Sequence, residues 1–218
     1  MPRFPLFRLL ALVFIFRGAR RTGRALGAVL LGLGGCGATS ALIDHAQRSL
    51  AGDHTDRADL VAVIDADTIA VEINGSEHQV RLLGIDAPEN SATGYGKPSC
   101  GAKQARALLV HLLFRVAVDG DDDGLADSGT DARAITLTSD RSQDNEDRYG
   151  RLLRYVNVRG QRRTAQQRLL QAGWAKVYVL ENDFQRVGLF REAQRSAERH
   201  RRGAYRMCAG NFNTAKRS

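Results

Sequence analysis

Three short motifs in the middle of the chain combine carboxylates with arginines: Asp65 to Thr68 (DADT), Arg81 to Glu89 (RLLGIDAPE) and Asp147 to Arg151 (DRYGR). The carboxylates of Asp67 and Asp86 are typical ligands of a hard divalent cation, and Glu89 could orient or deprotonate a water molecule. The guanidinium groups of Arg81 and Arg151 can each bind a phosphate through paired N–H donors. Together these residue types predict metal-assisted hydrolysis of a phosphodiester.

The charge of the chain is distributed unevenly. The formal net charge is +8, but residues 1–36 contribute six arginines and no acidic residue. Residues 37–147 hold 9 basic and 20 acidic residues, whereas residues 148–218 hold 17 basic and 4 acidic ones. A basic half suits a polyanion and an acidic half suits cations, as a metal-dependent nuclease requires. A solvated surface of mutually neutralising charges is the alternative interpretation.

Residues 1–36 have the features of an export leader. Two apolar runs, 4–16 and 25–35, are separated by a basic segment, and the second run ends at Gly34-Gly35-Cys36. This pattern resembles a bacterial lipoprotein signal, in which Cys36 would carry the lipid. Neither run reaches the roughly 18 to 20 apolar residues of a membrane-spanning helix. We expect an exported, lipid-anchored protein of the cell envelope, with residues 37–58 as a tether. An ordinary export signal and a cytosolic protein are the alternatives.

In the oxidising compartment that the export leader implies, the cysteines can form a disulfide. If Cys36 carries lipid, Cys100 and Cys208 remain as an even pair and predict a disulfide. This disulfide would close a loop of about 108 residues and stabilise the fold by about 4 kcal/mol in the chain-entropy model. Two unpaired thiols are the alternative. The absence of a CxxC motif and of a histidine cluster argues against zinc.

Residues 59–208 predict one small α+β domain, followed by a tail at 209–218. Runs of β-branched residues, with a hairpin signal at Asn74-Gly75, predict strands at 60–64, 68–73, 78–83, 134–139 and 152–158. Apolar residues at helical spacing predict helices at 101–114, 164–171 and 184–202, and residues 174–180 are predicted to be extended. These elements fit a five-stranded OB-type β-barrel with about three helices.

The three motifs, followed by AGWAKV and RGAY, occur here in the order found in the staphylococcal nuclease (thermonuclease) family. Residues 60–206 resemble that family. The resemblance implies the same barrel and a calcium-dependent endonuclease that acts on DNA, with RNA as a further substrate. We expect a monomer. A non-catalytic nucleic-acid-binding OB module is the alternative, although all five charged site residues are retained.

The resemblance also implies roles for individual residues. Asp67, Asp86 and the main-chain carbonyl of Ala87 would bind Ca²⁺, and Ala87 replaces a hydroxyl residue that the family usually has there. Glu89 would be the general base, and Arg81 and Arg151 would bind the scissile phosphate. Asp65 fits a turn residue better than a ligand.

The resemblance also implies residues that bind the nucleotide. Arg148 and Tyr149 match positions near the phosphates of the bound nucleotide, although Tyr149 could equally be a core or surface aromatic. The family's base-stacking tyrosine aligns with Val179 here, one residue from Tyr178, and Tyr178 is the third candidate for nucleotide binding. A shift of one residue along a strand would turn Tyr178 to the opposite face.

An acidic segment at 118–133 is longer than the family pattern. Its spacing resembles a calcium loop of the form DxDxDGxxD, with carboxylates at Asp119, Asp121, Asp123 and Asp127. However, Thr130 stands where a bidentate glutamate closes an EF-hand loop. The two interpretations are a second, structural calcium site and a flexible, solvated acidic loop.

Overall fold

The computed structural model describes residues 53–90 and 98–212. The expected leader, Cys36, most of the tether and most of the tail lie outside these residues. Among the helices that are described, none has the length and apolar character needed to cross a membrane.

The described elements are nine strands and four helices. In chain order they are β1 (Thr55–Asp65), β2 (Thr68–Ile73), β3 (Ser76–Leu82), β4 (Ile85–Asp86), α1 (Ala102–Leu113), β5 (Phe114–Val118), β6 (Ser128–Ala132), β7 (Ile135–Thr138), β8 (Leu152–Val158), α2 (Ala165–Ala172), β9 (Lys176–Val177), α3 (Val187–Arg199) and α4 (Ala204–Met207).

Five of the strands close into a barrel in the order β1-β2-β3-β8-β7, and β7 pairs back onto β1. All neighbours are antiparallel except β3 and β8, which are parallel. Alternate side chains fill the interior, and Ile69, Val80 and Val156 among them are fully buried. The predicted α+β class and five-stranded OB-type barrel are confirmed.

The predicted hairpin between β2 and β3 is present. Asn74 and Gly75 both have positive φ angles, 52° and 80°, as a two-residue hairpin turn requires. The turn pairs Ile73 with Ser76 and thereby sets Thr68 opposite Arg81. The hairpin register therefore brings two of the motifs side by side.

The helices cover the barrel with the faces that their periodicity predicts. In α1, Ala105, Leu109 and Leu113 are completely buried. A capping box between Thr164 and Gln167 starts α2. The helix ends at Gly173, whose φ is 77° and where an added Cβ would lie 2.3 Å from a backbone carbonyl oxygen. The short α4 brings the number of described helices to four, against the three expected.

The predicted disulfide between Cys100 and Cys208 is confirmed. It joins the residue two positions before α1 to the residue that follows α4. The amino-terminal end of one helix and the carboxyl-terminal segment of the domain are therefore covalently linked.

The structure differs from the sequence prediction in several segments. The barrel begins at Thr55, within the expected tether, because Thr55 to Ala58 pair with β7. β5 and β6 form a hairpin from part of the acidic segment, and β4 pairs with β9. The helix α3 starts at Val187, three residues later than predicted, because the preceding residues form a turn in which Gln185 N–H donates to Asp140.

Candidate active site

Three carboxylates from the first two motifs converge at one end of the barrel. Asp67 lies in the turn between β1 and β2, Asp86 lies on β4, and Glu89 follows in the next loop. Each offers an oxygen atom, and these atoms all lie within 4.8 Å of one another. Ala87 belongs to the same cluster, since its N–H donates to Asp67 Oδ2 at 3.1 Å.

The donor set fits a hard divalent cation. The side chains of the cluster offer carboxylate oxygens, which Ca²⁺ and Mg²⁺ prefer, and no nitrogen or sulfur ligand. Three carboxylates this close together repel one another unless a cation compensates them. The cluster could therefore bind a metal ion, as the sequence predicted.

Arg81 on β3 lies against this cluster and is only 6% exposed. Its Nη1 atom is 2.8 Å from Asp67 Oδ2, and its Nη2 atom is 3.4 Å from Asp86 Oδ1. The hairpin register positions this guanidinium because Arg81 pairs with Thr68, the neighbour of Asp67. Arg81, the predicted phosphate-binding residue, is thus in direct contact with the two carboxylates predicted as metal ligands.

Arg151 reaches the same region from the start of β8. Its Nε and Nη2 atoms lie 2.8 Å and 2.6 Å from Asp147 Oδ2. Its Nη1 atom donates to Thr68 Oγ1 at 3.4 Å, and Thr68 Oγ1 in turn donates to Asp67 Oδ1 at 3.0 Å. A chain of polar contacts therefore connects the two arginines through Thr68 and Asp67.

Asp147 and Thr68 were not predicted as site residues, although each lies inside a motif. Burial alone would raise the pKa of Asp147, but hydrogen bonds from Arg151 and Tyr149 outweigh it and lower that pKa. Asp147 is therefore ionised at neutral pH and fixes the guanidinium of Arg151.

A cavity of about 770 Å³ extends from these arginines across the surface. Its lining includes five predicted site residues, which are Arg81, Arg148, Tyr149, Arg151 and Tyr178. Tyr149 is 64% exposed, and Arg148 and Arg151 lie over its ring at 4.9 Å and 5.4 Å. Tyr149 is thus a surface aromatic, and the cavity wall combines cations with exposed rings.

Tyr178 also lines this cavity. Its N–H donates to the carbonyl of Gly84 at 3.0 Å, which extends the pairing of β4 with β9. Tyr178 is 39% exposed, while Val179 packs against the hydrophobic core. The residue that aligns with the family's stacking tyrosine therefore points inward, and Tyr178 faces the cavity.

A buried carboxylate holds the loop that forms another wall of the cavity. Asp140 accepts hydrogen bonds from Ser142 Oγ, from Gln185 N–H and, at 2.5 Å, from the hydroxyl of Tyr155. Burial alone would raise the pKa of Asp140, but these hydrogen bonds outweigh it and lower that pKa. This network could not be predicted, because its members lie in three separate segments of the chain.

Asp65 has a structural role, because its carboxylate holds two backbone segments together. Its carboxylate accepts N–H groups from Ala66 at 2.8 Å and from Asn90 at 3.3 Å, which ties the β1–β2 turn to the loop after Glu89. Burial raises the pKa of Asp65 to about 6, and the charge of Asp67 adds to the shift.

The acidic segment forms the turn and the second strand of the β5–β6 hairpin. Asp119, Asp121 and Asp123 converge within 4.8 Å, while Asp127 instead accepts the N–H of Gly120. Lys103 Nζ lies 3.3 Å from Asp121 and 2.5 Å from Asp123. A lysine thus already contributes positive charge to this cluster, and the second calcium site stays a prediction.

Comparison with known proteins gives a consistent result. A family model described as "Staphylococcal nuclease homologue" matches residues 79–206. Endonuclease YncB of Bacillus subtilis strain 168 is 34% identical over 158 residues, which cover 70% of this chain and 60% of that protein. The SPbeta prophage-derived endonuclease YokF of the same strain is 33% identical over 62% of this chain and 39% of its own length.

A third relative is protein MJ1439 of Methanocaldococcus jannaschii, which is 26% identical over 67% of this chain and 70% of its own length. The chain thus spans less than two thirds of the two endonucleases it matches. The predictions of the family and of a nuclease-type hydrolase agree with these findings. The chain belongs to the staphylococcal nuclease homologue family.

Proposed function

We propose that this domain is a calcium-dependent endonuclease that hydrolyses phosphodiester bonds in DNA and also in RNA. The observation that carries the proposal is the contact of Arg81 with Asp67 and Asp86, at 2.8 Å and 3.4 Å, beside a cavity lined by arginines and tyrosines. Family membership and two relatives named as endonucleases support it.

Each charged residue has a distinct task in this proposal. Asp67, Asp86 and the carbonyl of Ala87 would hold Ca²⁺, which supplies positive charge to the phosphate oxygens when bound. Arg81 and Arg151 bind the scissile phosphate through paired N–H donors and stabilise the charge that develops on it. Glu89 accepts a proton from the attacking water.

The cavity provides the rest of the binding surface. Arg148 and Tyr149 lie on the side of Arg151, where the phosphates of a bound nucleotide would meet cations. Tyr178 presents an exposed ring on which a base can stack. Stacking is tolerant of base identity, so the expected cleavage shows little sequence preference.

The test is cleavage of single-stranded DNA and RNA by the full-length protein, with calcium and with a chelator. Glu89→Gln removes the base, and the matched control is Glu77→Gln, which makes the same change at an exposed position on β3. We expect calcium-dependent cleavage that Glu89→Gln lowers at least about 100-fold and that the control leaves unchanged. Cleavage that ignores the chelator, or binding without any cleavage, would contradict the proposal. The latter result would favour the non-catalytic OB module.

The proposal extends to location. The leader pattern ending at Cys36 supports export and attachment to a membrane through a lipid on that cysteine. Mass spectrometry of the membrane fraction should find a diacylglyceryl-modified amino terminus at Cys36. An unmodified chain cleaved elsewhere and recovered from the medium would instead indicate a secreted protein.

A further inference from the structure

A second group of arginines lies away from the cavity. From Arg148 to Leu180 the chain has eight basic residues and no acidic residue. Some of these basic residues belong to the candidate site, but four of them lie beyond the far end of β8. With two more from the segment that follows α3 they form what we call the arginine surface: Arg159, Arg162, Arg163, Arg168, Arg201 and Arg202.

Local contacts bring the members of the arginine surface together. Arg168 on α2 donates to the side chain of Gln161, in the loop that carries Arg162 and Arg163, at 3.0 Å. Arg202 donates to the carbonyl of Gln171 at 3.3 Å, near the end of the same helix, because α2 packs against α3. All six arginines are exposed.

These charges are not neutralised by the described part of the fold. None of the six forms an ion pair there, whereas other exposed arginines do, as in the pairs Arg115–Asp131 and Arg191–Asp183. Arg162 and Arg163 also precede the first turn of α2, which has no acidic residue. Positive charge at the amino-terminal end of a helix is unfavourable by a few tenths of a kcal/mol, so helix stability does not explain these arginines.

The arginine surface lies at a defined distance from the phosphate-binding arginines. Arg151 precedes β8 and Arg159 follows it, with the seven residues of the strand between them. At about 3.3 Å per residue the separation is roughly 25 Å. Double-stranded DNA covers this distance in about seven base pairs, so a short oligonucleotide in the cavity cannot reach the arginine surface.

We propose that the arginine surface is a second binding surface for the phosphate backbone of the same nucleic acid chain whose scissile bond lies at Arg81 and Arg151. This inference rests on the proposed function. Arginine suits this task because its planar guanidinium forms paired hydrogen bonds with phosphate oxygens. A chain held at one end is present at high effective concentration at the other, so long substrates bind more tightly than short ones.

The test compares two double variants of the full-length protein that remove the same charge. Arg162→Gln/Arg163→Gln alters the arginine surface, and Arg57→Gln/Arg115→Gln alters exposed arginines on β1 and β5. Each pair is placed in the Glu89→Gln background, in which cleavage during the binding measurement is at least about 100-fold slower. Fluorescence anisotropy measures the affinity for a single strand of about 30 nucleotides and for a dinucleotide over a range of salt concentrations.

For the long strand, two lost phosphate contacts should reduce the slope of log K against log salt by up to about 1.4. At about 0.1 M salt this corresponds to a roughly 25-fold loss of affinity. The dinucleotide should bind equally well to both variants. Thermal unfolding verifies the fold, and Arg159→Gln/Arg168→Gln replaces the first variant if that variant does not fold.

Equal losses in the two double variants, or no loss in either, would overturn the inference. It would also be overturned if Arg162→Gln/Arg163→Gln weakened binding to vesicles of phosphatidylglycerol while leaving the long strand bound, since the surface would then serve a membrane. If the wild type cleaves nothing but shows the expected length-dependent binding, the proposed function fails and this inference stands. If the wild type cleaves and Arg162→Gln/Arg163→Gln leaves the affinity for the long strand unchanged, only this inference fails.

Discussion

Replacing Asp147 by asparagine should release the guanidinium of Arg151 from its fixed position while the surrounding fold is kept. Asp147 Oδ1 accepts the backbone N–H groups of Tyr149 and Arg151, and an asparagine oxygen can keep both bonds. The other carboxylate oxygen binds the guanidinium of Arg151 at 2.8 Å and 2.6 Å. In Asp147→Asn an amide NH₂ takes that place, so that two donors face each other.

The size of the effect follows from the burial of the pair. The two side chains are 17% and 14% exposed, so solvent screens their interaction only partly. A charge-assisted hydrogen bond of this kind contributes about 1.5 to 3 kcal/mol. If that energy is lost from the position of Arg151 in the transition state, kcat/KM falls about 10-fold to 150-fold. Stability should fall by no more than about 1.5 to 3 kcal/mol, because the backbone bonds to Asp147 Oδ1 persist.

The assay is steady-state cleavage of single-stranded DNA together with urea unfolding of the same samples. Asp131→Asn is the matched control, since it makes the same change in a surface pair with Arg115, where the side chains are 60% and 64% exposed. Such a pair contributes little, so the control should behave like the wild type. A kcat/KM of Asp147→Asn within twofold of the wild type would refute the positioning role, and so would an activity loss that only follows loss of folded protein.

Three further predictions concern stability. Because the pKa of Asp140 is lowered in the folded state, its network contributes stability above the ordinary carboxyl range and loses it as pH falls through the lowered pKa. Asp140→Asn should therefore lower the free energy of unfolding by about 1 to 3 kcal/mol at pH 7. In urea unfolding, the stability of this variant should also decrease less at acidic pH than that of the wild type, and an equal decrease in both proteins would contradict this. Cys100→Ser/Cys208→Ser removes a link across 108 residues and should cost about 4 kcal/mol, and equal stability of oxidised and reduced wild type would count against it. Gly84→Ala combines a φ of 79° with a Cβ 2.5 Å from an aromatic ring, so it should cost about 2 kcal/mol or more in thermal unfolding. Gly75→Ala, with φ of 80° and open space, should cost less, and equal losses would exclude the contact as the cause.

The barrel could be predicted because its strands carry local signals. Alternating apolar residues and the Asn74-Gly75 turn specify β2 and β3 without reference to the rest of the fold. Most of the strands that were missed lack such signals. β4 has two residues, too few for any period, and Ser128 to Ala132 contains no apolar alternation. β5 does contain alternating apolar residues, but they follow the apolar pattern of α1 without a break. β9 lies within residues 174–180, which were predicted to be extended. Thr55 to Ala58 is polar and becomes a strand only because β7 is its neighbour.

In the candidate site, too, the residues with local sequence signals could be predicted and those that depend on distant contacts could not. Asp67, Asp86 and Arg81 could be recognised because the motifs keep their types and order, and the hairpin register brings them together. Thr68 and Asp147 could not be assigned a role, because their importance lies in contacts to residues far away in the sequence. Tyr178 illustrates the difference, since alignment favours Val179 and only the packing of the strand shows which residue faces the cavity.

The burial of Arg81 determines which substitution can separate chemistry from folding. Asp67 is 2% exposed and Arg81 is its ion-pair partner, so Arg81→Ala leaves a buried carboxylate without that compensating charge. Breaking a buried pair in this way costs about 3 to 5 kcal/mol, a large part of the 5 to 15 kcal/mol that stabilises a typical domain. Loss of activity in Arg81→Ala would then reflect unfolding as much as lost phosphate binding. Glu89→Gln should not destabilise the fold, because it keeps the shape of the side chain and reduces repulsion among three carboxylates.

A cation bound at these carboxylates could supply the charge that Arg81→Ala removes. The free energy of unfolding of this variant should therefore rise with calcium concentration more steeply than that of the wild type, since a ligand that binds only the folded state stabilises it by mass action. Urea unfolding of both proteins over a calcium series measures the difference. Parallel curves would mean that the cation and the guanidinium do not share the charge of Asp67 and Asp86, and that the cation binds elsewhere.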